Sequence, residues 1–186
     1  MNDYKKRLAQ MLMTLSYREG EVTLTSGKKS DYYFDCKQTA LHPEGSWLIG
    51  MCFLDLLKGY KEVKGVGGMT LGADPLVSSV TVLSHVEGRS LPGFIIRKKP
   101  KGHGTNQYLE GLQNFEPGAK VALLEDVVTT GGTLVTAAER VRDAGLEISA
   151  VLTVLDREEG GRENLAKAGL KLDAIFTRGE LLEAAK

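Results

Sequence analysis

The sequence predicts an α/β fold: a parallel sheet flanked by helices, with a small N-terminal cap. Three observations lead there. From about residue 60 onward, short apolar runs alternate with helical patterns, as successive βαβ units require. The run VLTVL is apolar without alternation, which fits a parallel strand buried on both faces. The first ~60 residues break the alternation, so they read as a cap over the sheet rather than a separate domain. The 186 residues then form one domain, 1–186, to which residues 1–60 contribute the cap.

The elements follow in order. In residues 3–19, Leu8, Met11, Leu12 and Leu15 recur at helical spacing and predict an amphipathic helix. Residues 22–25 and 31–35 read as the strands of a hairpin around SGKKS. Residues 42–45 read as a loop, with Ser46 capping a helix that runs to about Lys58. A strand at 63–67 precedes a helix from Asp74 to about His85, opened by Pro75. The strand at 93–97 leads into KKPKGHGTNQYLEG, which is polar and without apolar periodicity. A strand at 121–124 is followed by a helix at 133–144 that Gly145 ends. Strand 148–155, helix 162–168, strand 172–176 and a short helix at 180–186 complete the chain.

Composition removes several classes of function. The chain has 24 basic and 24 acidic residues and a formal net charge of zero. Without a global basic field, nucleic acid is not an expected partner, and any anion site must be local. The two cysteines, Cys36 and Cys52, form no CxxC pair, which predicts a reducing cytosol. No apolar run reaches the ~18 residues needed to span a membrane. The start MNDYKKRLAQ has no signal-peptide core. The expectation is a cytoplasmic protein without a membrane partner.

Four polar loops follow strands: GGMTLGAD, RKKPKGHG, EDVVTTGGT and DREEGGR. In an open parallel sheet they should converge beyond the strands' carboxyl ends. TTGGT is built for an anion. Gly131 and Gly132 admit a ligand close to the backbone, successive N–H groups form a nest, and the next helix adds its positive dipole end. Thr129, Thr130 and Thr133 add hydroxyl donors. The alternative is a plain strand-to-helix turn with Thr133 as N-cap. Glu125 and Asp126 just before it suit sugar hydroxyls or incipient positive charge. The alternative is a solvated strand end. A phosphorylated sugar accounts for both groups at once. GxxxxGK[ST] and GxGxxG are both absent.

VALL followed by EDVVTTGGT closely resembles the phosphoribosyl pyrophosphate (PRPP) signature of type I phosphoribosyltransferases. LTSGKKSDYYFD, RKKPKGHG and LDREEGG, in that order, narrow the likeness to orotate phosphoribosyltransferases over roughly residues 20–160. The resemblance implies a type I phosphoribosyltransferase-like fold. It also implies the transfer of a phosphoribosyl group from PRPP to orotate in pyrimidine biosynthesis, Mg²⁺ as cofactor and a homodimer. PRPP is then bound by Arg97, Lys98, Lys101 and His103, and by Glu125, Asp126, Val127, Val128, Thr129, Thr130, Gly131, Gly132 and Thr133. Lys101, Asp126 and His103 are the catalytic residues it implies. The basic segment becomes a hinged loop that closes on pyrophosphate from the neighbouring subunit. Thr129 and Arg157 meet orotate. No metal ligands are expected from the protein, because PRPP holds most of the Mg²⁺ shell.

The same residues also carry plainer readings. RKKPKGHG alone fits a solvated basic loop equally well. Arg157 is suited to a planar carboxylate but also to an ion pair with Asp156, Glu158 or Glu159. Two of Tyr32, Tyr33 and Phe34 should be core. Leu71 and Thr25 stand where some members of the family carry lysine, so pyrophosphate contacts near Leu71 should be largely main-chain. Lys28 is a weak substitute for the lysine missing at Thr25. Asp74 before Pro75 reads as a helix N-cap. The rival functions are a purine phosphoribosyltransferase and a PRPP-binding regulatory protein. The first should lack Arg157 and the SGKKS segment, and the second should lack an intact basic loop.

Overall fold

The computed structural model describes residues 3–23, 29–100 and 107–184. Helix α1 (Asp3–Met11) passes into a π-helical turn (Leu12–Ser16) and then directly into strand β1 (Tyr17–Thr23). The first helix is thus shorter than its periodicity predicts. Cross-strand pairing takes residues 17–19 instead. β1 runs antiparallel to β2 (Lys29–Phe34), with Tyr17 opposite Phe34, and the Tyr17 and Tyr32 rings stack at 5.2 Å.

A short helix α2 (Lys37–Ala40), which no sequence signal marks, leads to α3 (Pro43–Leu57). α3 begins before Ser46. Pro43 fits the first turn, where its missing N–H has no intrahelical role, so residues 43–45 are helix rather than loop.

The alternating region follows: β3 (Gly65–Met69), α4 (Asp74–Val86), β4 (Gly93–Ile96), β5 (Leu109–Glu110), β6 (Lys120–Val128), α5 (Gly132–Asp143), β7 (Glu147–Asp156), α6 (Gly161–Lys167), β8 (Leu172–Thr177) and α7 (Arg178–Ala184). These strands form one sheet in the order β5-β4-β3-β6-β7-β8, parallel except for the β4–β5 pair. The two-residue β5 is too short to signal itself. It returns the polar segment to the edge it left, pairing Leu109 with Ile96. The chain runs outward from β3 to β4, then comes back to lay β6 on the other side of β3. That reversal opens a crevice beyond the carboxyl ends of β3 and β6.

Both faces of the sheet are covered. On one, Leu124 and Leu152 share a buried cluster with Leu12, Tyr32, Phe53, Leu76 and Phe176. On the other, Leu123 and Val151 pack with Leu134, Val141 and Leu165. Neighbouring residues of β6 and β7 thus enter opposite cores, which is why their sequences are apolar without alternation. Each leucine so buried is worth roughly 1.5–3 kcal/mol. The N-terminal helix and hairpin contribute to the first of these cores, so they are anchored over the sheet. The fold is α/β with a parallel sheet flanked by helices, as the sequence predicts. Among the described residues, no helix is long and apolar enough to cross a membrane.

Candidate active site

A cleft of about 460 Å³ lies at the β3–β6 reversal. Its walls are residues 69–72 after β3, Lys98 after β4, residues 125–134 at the end of β6, and Lys37 from the N-terminal region. Three of the four polar loops therefore converge as expected. The fourth, DREEGGR, does not reach the wall; it supports the Thr/Gly turn from behind. Arg157 N–H donates to Val128 O at 2.9 Å, and Asn164 Nδ2 donates to Thr130 O at 3.1 Å.

The Thr/Gly turn is shaped by Gly131, which occupies the N-cap of α5 with φ 77°. A side chain there would be strained, and its Cβ would stand 3.1 Å from Leu165. The helix starts at Gly132, so Thr133 is not its cap, and no side chain caps it. Leu134 and Val135 N–H already bond Gly131 O, both at 3.1 Å, so the donors without a helical acceptor are those of Gly132 and Thr133, which line the cleft at the positive end of the dipole. Val127, Val128, Thr129, Thr130, Gly131, Gly132 and Thr133 all line this wall.

β6 runs through Glu125 and Asp126 to Val128, four residues beyond the end its apolar run predicts. Pairing with β7 continues to Val128 opposite Asp156, which holds the carboxylates inside the sheet. Glu125 is 8% exposed, so the reading as a solvated strand end is excluded. Burial pushes its carboxyl well above the usual carboxylate range, and the adjacent Asp126 carboxylate adds to the shift. Asp126 packs against Gly72: a Cβ on Gly72 would lie 2.8 Å from its carboxylate. This close approach brings the Gly72 backbone against the Asp126 carboxylate. The Thr70–Leu71 peptide is cis.

The basic segment divides. Lys98 is on the cleft wall. Arg97 turns to Glu110 instead, at 3.0 Å, and its N–H bonds Tyr108 O at 2.8 Å. Arg140 donates to Arg97 O at 2.9 Å and lies over the Tyr108 ring at 4.1 Å, pinning both legs of the segment. Lys101 and His103 lie outside the described residues, as do Thr25 and Lys28.

Arg157 is 4% exposed and is not on the cleft wall. Its guanidinium pairs with Glu159 at 2.8 Å and lies over the Tyr32 ring at 4.2 Å. Tyr32 and Phe34 are core, while Tyr33 is 47% exposed. Asp74 is not an N-cap. Ala73 takes that position, and the Asp74 carboxylate accepts a hydrogen bond from Thr70 Oγ1 at 2.8 Å. Lys37 is the wall residue that sequence reasoning does not find. It belongs to no strand-to-helix loop of the sheet, and its place depends on how the hairpin folds over the edge.

No protein-family model matches the chain. An orotate phosphoribosyltransferase of Nostoc sp. is 46% identical over 173 residues, covering 93% of this chain and 82% of the relative. One from Aquifex aeolicus is 43% identical over 181 residues, covering 96% and 97%. Among solved structures, the Mycobacterium tuberculosis orotate phosphoribosyltransferase in complex with PRPP superposes with a TM-score of 0.78 and 34% identity, over 96% of this chain and 98% of that one. With such identity over most of both chains, on a sheet whose reversal carries the Thr/Gly turn and its paired carboxylates, this chain belongs to the orotate phosphoribosyltransferase family of type I phosphoribosyltransferases.

Proposed function

We propose that the protein transfers the 5-phosphoribosyl group of PRPP to orotate, forming orotidine 5′-monophosphate and releasing pyrophosphate in pyrimidine biosynthesis. The observation that carries this reading is the uncapped amino end of α5 sharing one cleft with Glu125 and Asp126. The Thr129–Thr133 backbone and hydroxyls bind the 5-phosphate. The carboxylates face the ribose hydroxyls and the positive charge that grows on the ring as the anomeric bond loosens. Lys98, Lys101 and His103 meet the departing pyrophosphate, and Arg97 joins them by leaving Glu110. Lys101, Asp126 and His103 act on the reacting atoms. Thr129 and Arg157 hold orotate, Arg157 exchanging Glu159 for the planar carboxylate.

Residues 1–60 act as the cap of a single domain. Mg²⁺ is the cofactor, held mainly by PRPP oxygens and water; the hard oxygens of Glu125 and Asp126 on the wall suit it. When bound, it neutralises charge on the diphosphate. The enzyme works in the cytoplasm as a homodimer that shares the basic segment across its subunits. The exposed Val82 and Val86 on α4 support a self-association surface.

The test is turnover. Purified protein with Mg²⁺ and PRPP should consume orotate, read as loss of its absorbance. Turnover of hypoxanthine or uracil with orotate untouched would overturn the assignment.

A further inference from the structure

We propose that Lys37 is a substrate-binding residue whose ammonium group meets the diphosphate of PRPP across the cleft from the Thr/Gly turn. The inference rests on the PRPP reading above. It starts from a deficit of charge. The loop at residues 69–72 is Met, Thr, Leu and Gly, so that wall brings no cation to a ligand with several negative charges at its reacting end. The Asp126 carboxylate, packed against Gly72, adds to the repulsion. Among the described wall residues, the cations are Lys98 and Lys37.

The position of Lys37 is built. It is the first residue of α2, directly after the turn that ends β2, so the hairpin carries it over the carboxyl edge of the sheet. Asp35 organises that turn. Its carboxylate accepts from Lys37 N–H and from Gln38 Nε2, both at 3.2 Å, and it pairs with Lys37 Nζ at 2.8 Å. The Asp35 side chain is 16% exposed and that of Lys37 45%, so the anchor is sheltered while the ammonium group borders open space. One contact to Asp35 engages one of three ammonium donors. Asp35 first, and the charge of Asp126 after it, hold Lys37 protonated. Lys37 shares the cleft wall with Asp126, as well as with the Thr/Gly turn. Orotate has a guanidinium of its own in Arg157. The diphosphate, beside a main-chain loop without a lysine, is the anion that needs Lys37.

The experiment compares Lys37→Met, Lys37→Gln and Lys37→Arg with the parent protein. It uses steady-state kinetics and calorimetric binding of PRPP and of inorganic pyrophosphate, with Mg²⁺ present. The expected result for K37M and K37Q is about a tenfold rise in the PRPP KM, with a matching loss of pyrophosphate affinity. The orotate KM should stay within about twofold, and K37R should restore most of the PRPP affinity. Unchanged affinity for PRPP and pyrophosphate overturns the proposal, whether or not the melting temperature falls. A rise in the orotate KM alone also overturns it, and assigns Lys37 to the base. Parent protein that turns over no orotate instead defeats the functional reading, which separates that failure from this one.

Discussion

β6 and β7 lie side by side and end almost alike in sequence, LLEDVVTTGG and TVLDREEGG, yet one end is a cleft and the other is closed. Their backbones use the same device. Each strand carries acidic residues at or just before its end, Val128 lies in register with Asp156, and each strand leads through a left-handed glycine N-cap into a helix that starts on the next glycine. The difference is charge. After β7 the segment neutralises itself: Arg162 pairs with Asp156 at 3.1 Å, Arg157 pairs with Glu159 at 2.8 Å, and Glu158 N–H donates to Asp156 at 2.9 Å. After β6 there is no basic residue in the segment, and the neutral threonines leave the carboxylates and the helix end to whatever enters. A strand-to-helix turn becomes a phosphate site when its own segment does not satisfy its charges, and a support for that site when it does; in the proposed function Arg157 reaches orotate only by giving up Glu159.

The sharpest way to break this comparison is to put the same side chain on both glycine caps. Gly131→Ala meets φ 77°, Leu165 at 3.1 Å and Gly161 O at 3.2 Å, so the turn must shift. Displaced donors should lower kcat/KM for PRPP on the order of a hundredfold. Gly160→Ala meets φ 87° but open space. It should cost about 1 kcal/mol of stability and leave kcat/KM within about twofold. Equal kinetic losses in the two variants would erase the distinction between open and closed ends.

Asp156 tests the closed end directly. It is 2% exposed, and removing it strands the Glu158 N–H and one side of Arg162. Because Arg162 is half-exposed, solvent recovers part of that loss. Asp156→Ala should therefore cost about 2 kcal/mol in urea denaturation, with the PRPP KM unchanged. A variant of native stability with a raised PRPP KM would make this end part of the PRPP site.

How much of this is legible in sequence follows from how local each feature is. The Thr/Gly turn and the carboxylates are contiguous, and their chemistry is in the residue types. The start of α5 is less so: Thr133 has the composition of a cap, but Gly131, able to adopt the left-handed conformation, takes the position. β5 is two residues whose existence depends on an edge 13 positions away, Leu109 on Ile96. Three acids in its own segment suit Arg157, and the residue types do not tell which; in the fold it pairs with Glu159 and lies over the Tyr32 ring. Lys37 depends on the docking of a hairpin, which no spacing in the chain records.

The finest test of the comparison is the uncompensated charge itself. Glu125 binds its proton more tightly in the folded protein than in the unfolded chain, because burial and the Asp126 carboxylate oppose its ionisation. Between the ordinary glutamate pKa and the higher folded value, the native state holds a proton that the unfolded state has lost. Stability therefore falls as pH rises through that window, and what Glu125 costs is present in full above it. Glu125→Gln keeps an oxygen to accept from Asp126 N–H, a bond of 3.1 Å in the parent, and carries no charge. The ligand-free variant should melt a few degrees above the parent at pH 8, and at the same temperature near pH 4. The same variant should bind PRPP more weakly, since the carboxylate that destabilises the empty cleft is the one its ligand uses. Melting curves that coincide at both pH values would mean that the end of β6 is as well compensated as that of β7, and the open cleft would need another cause.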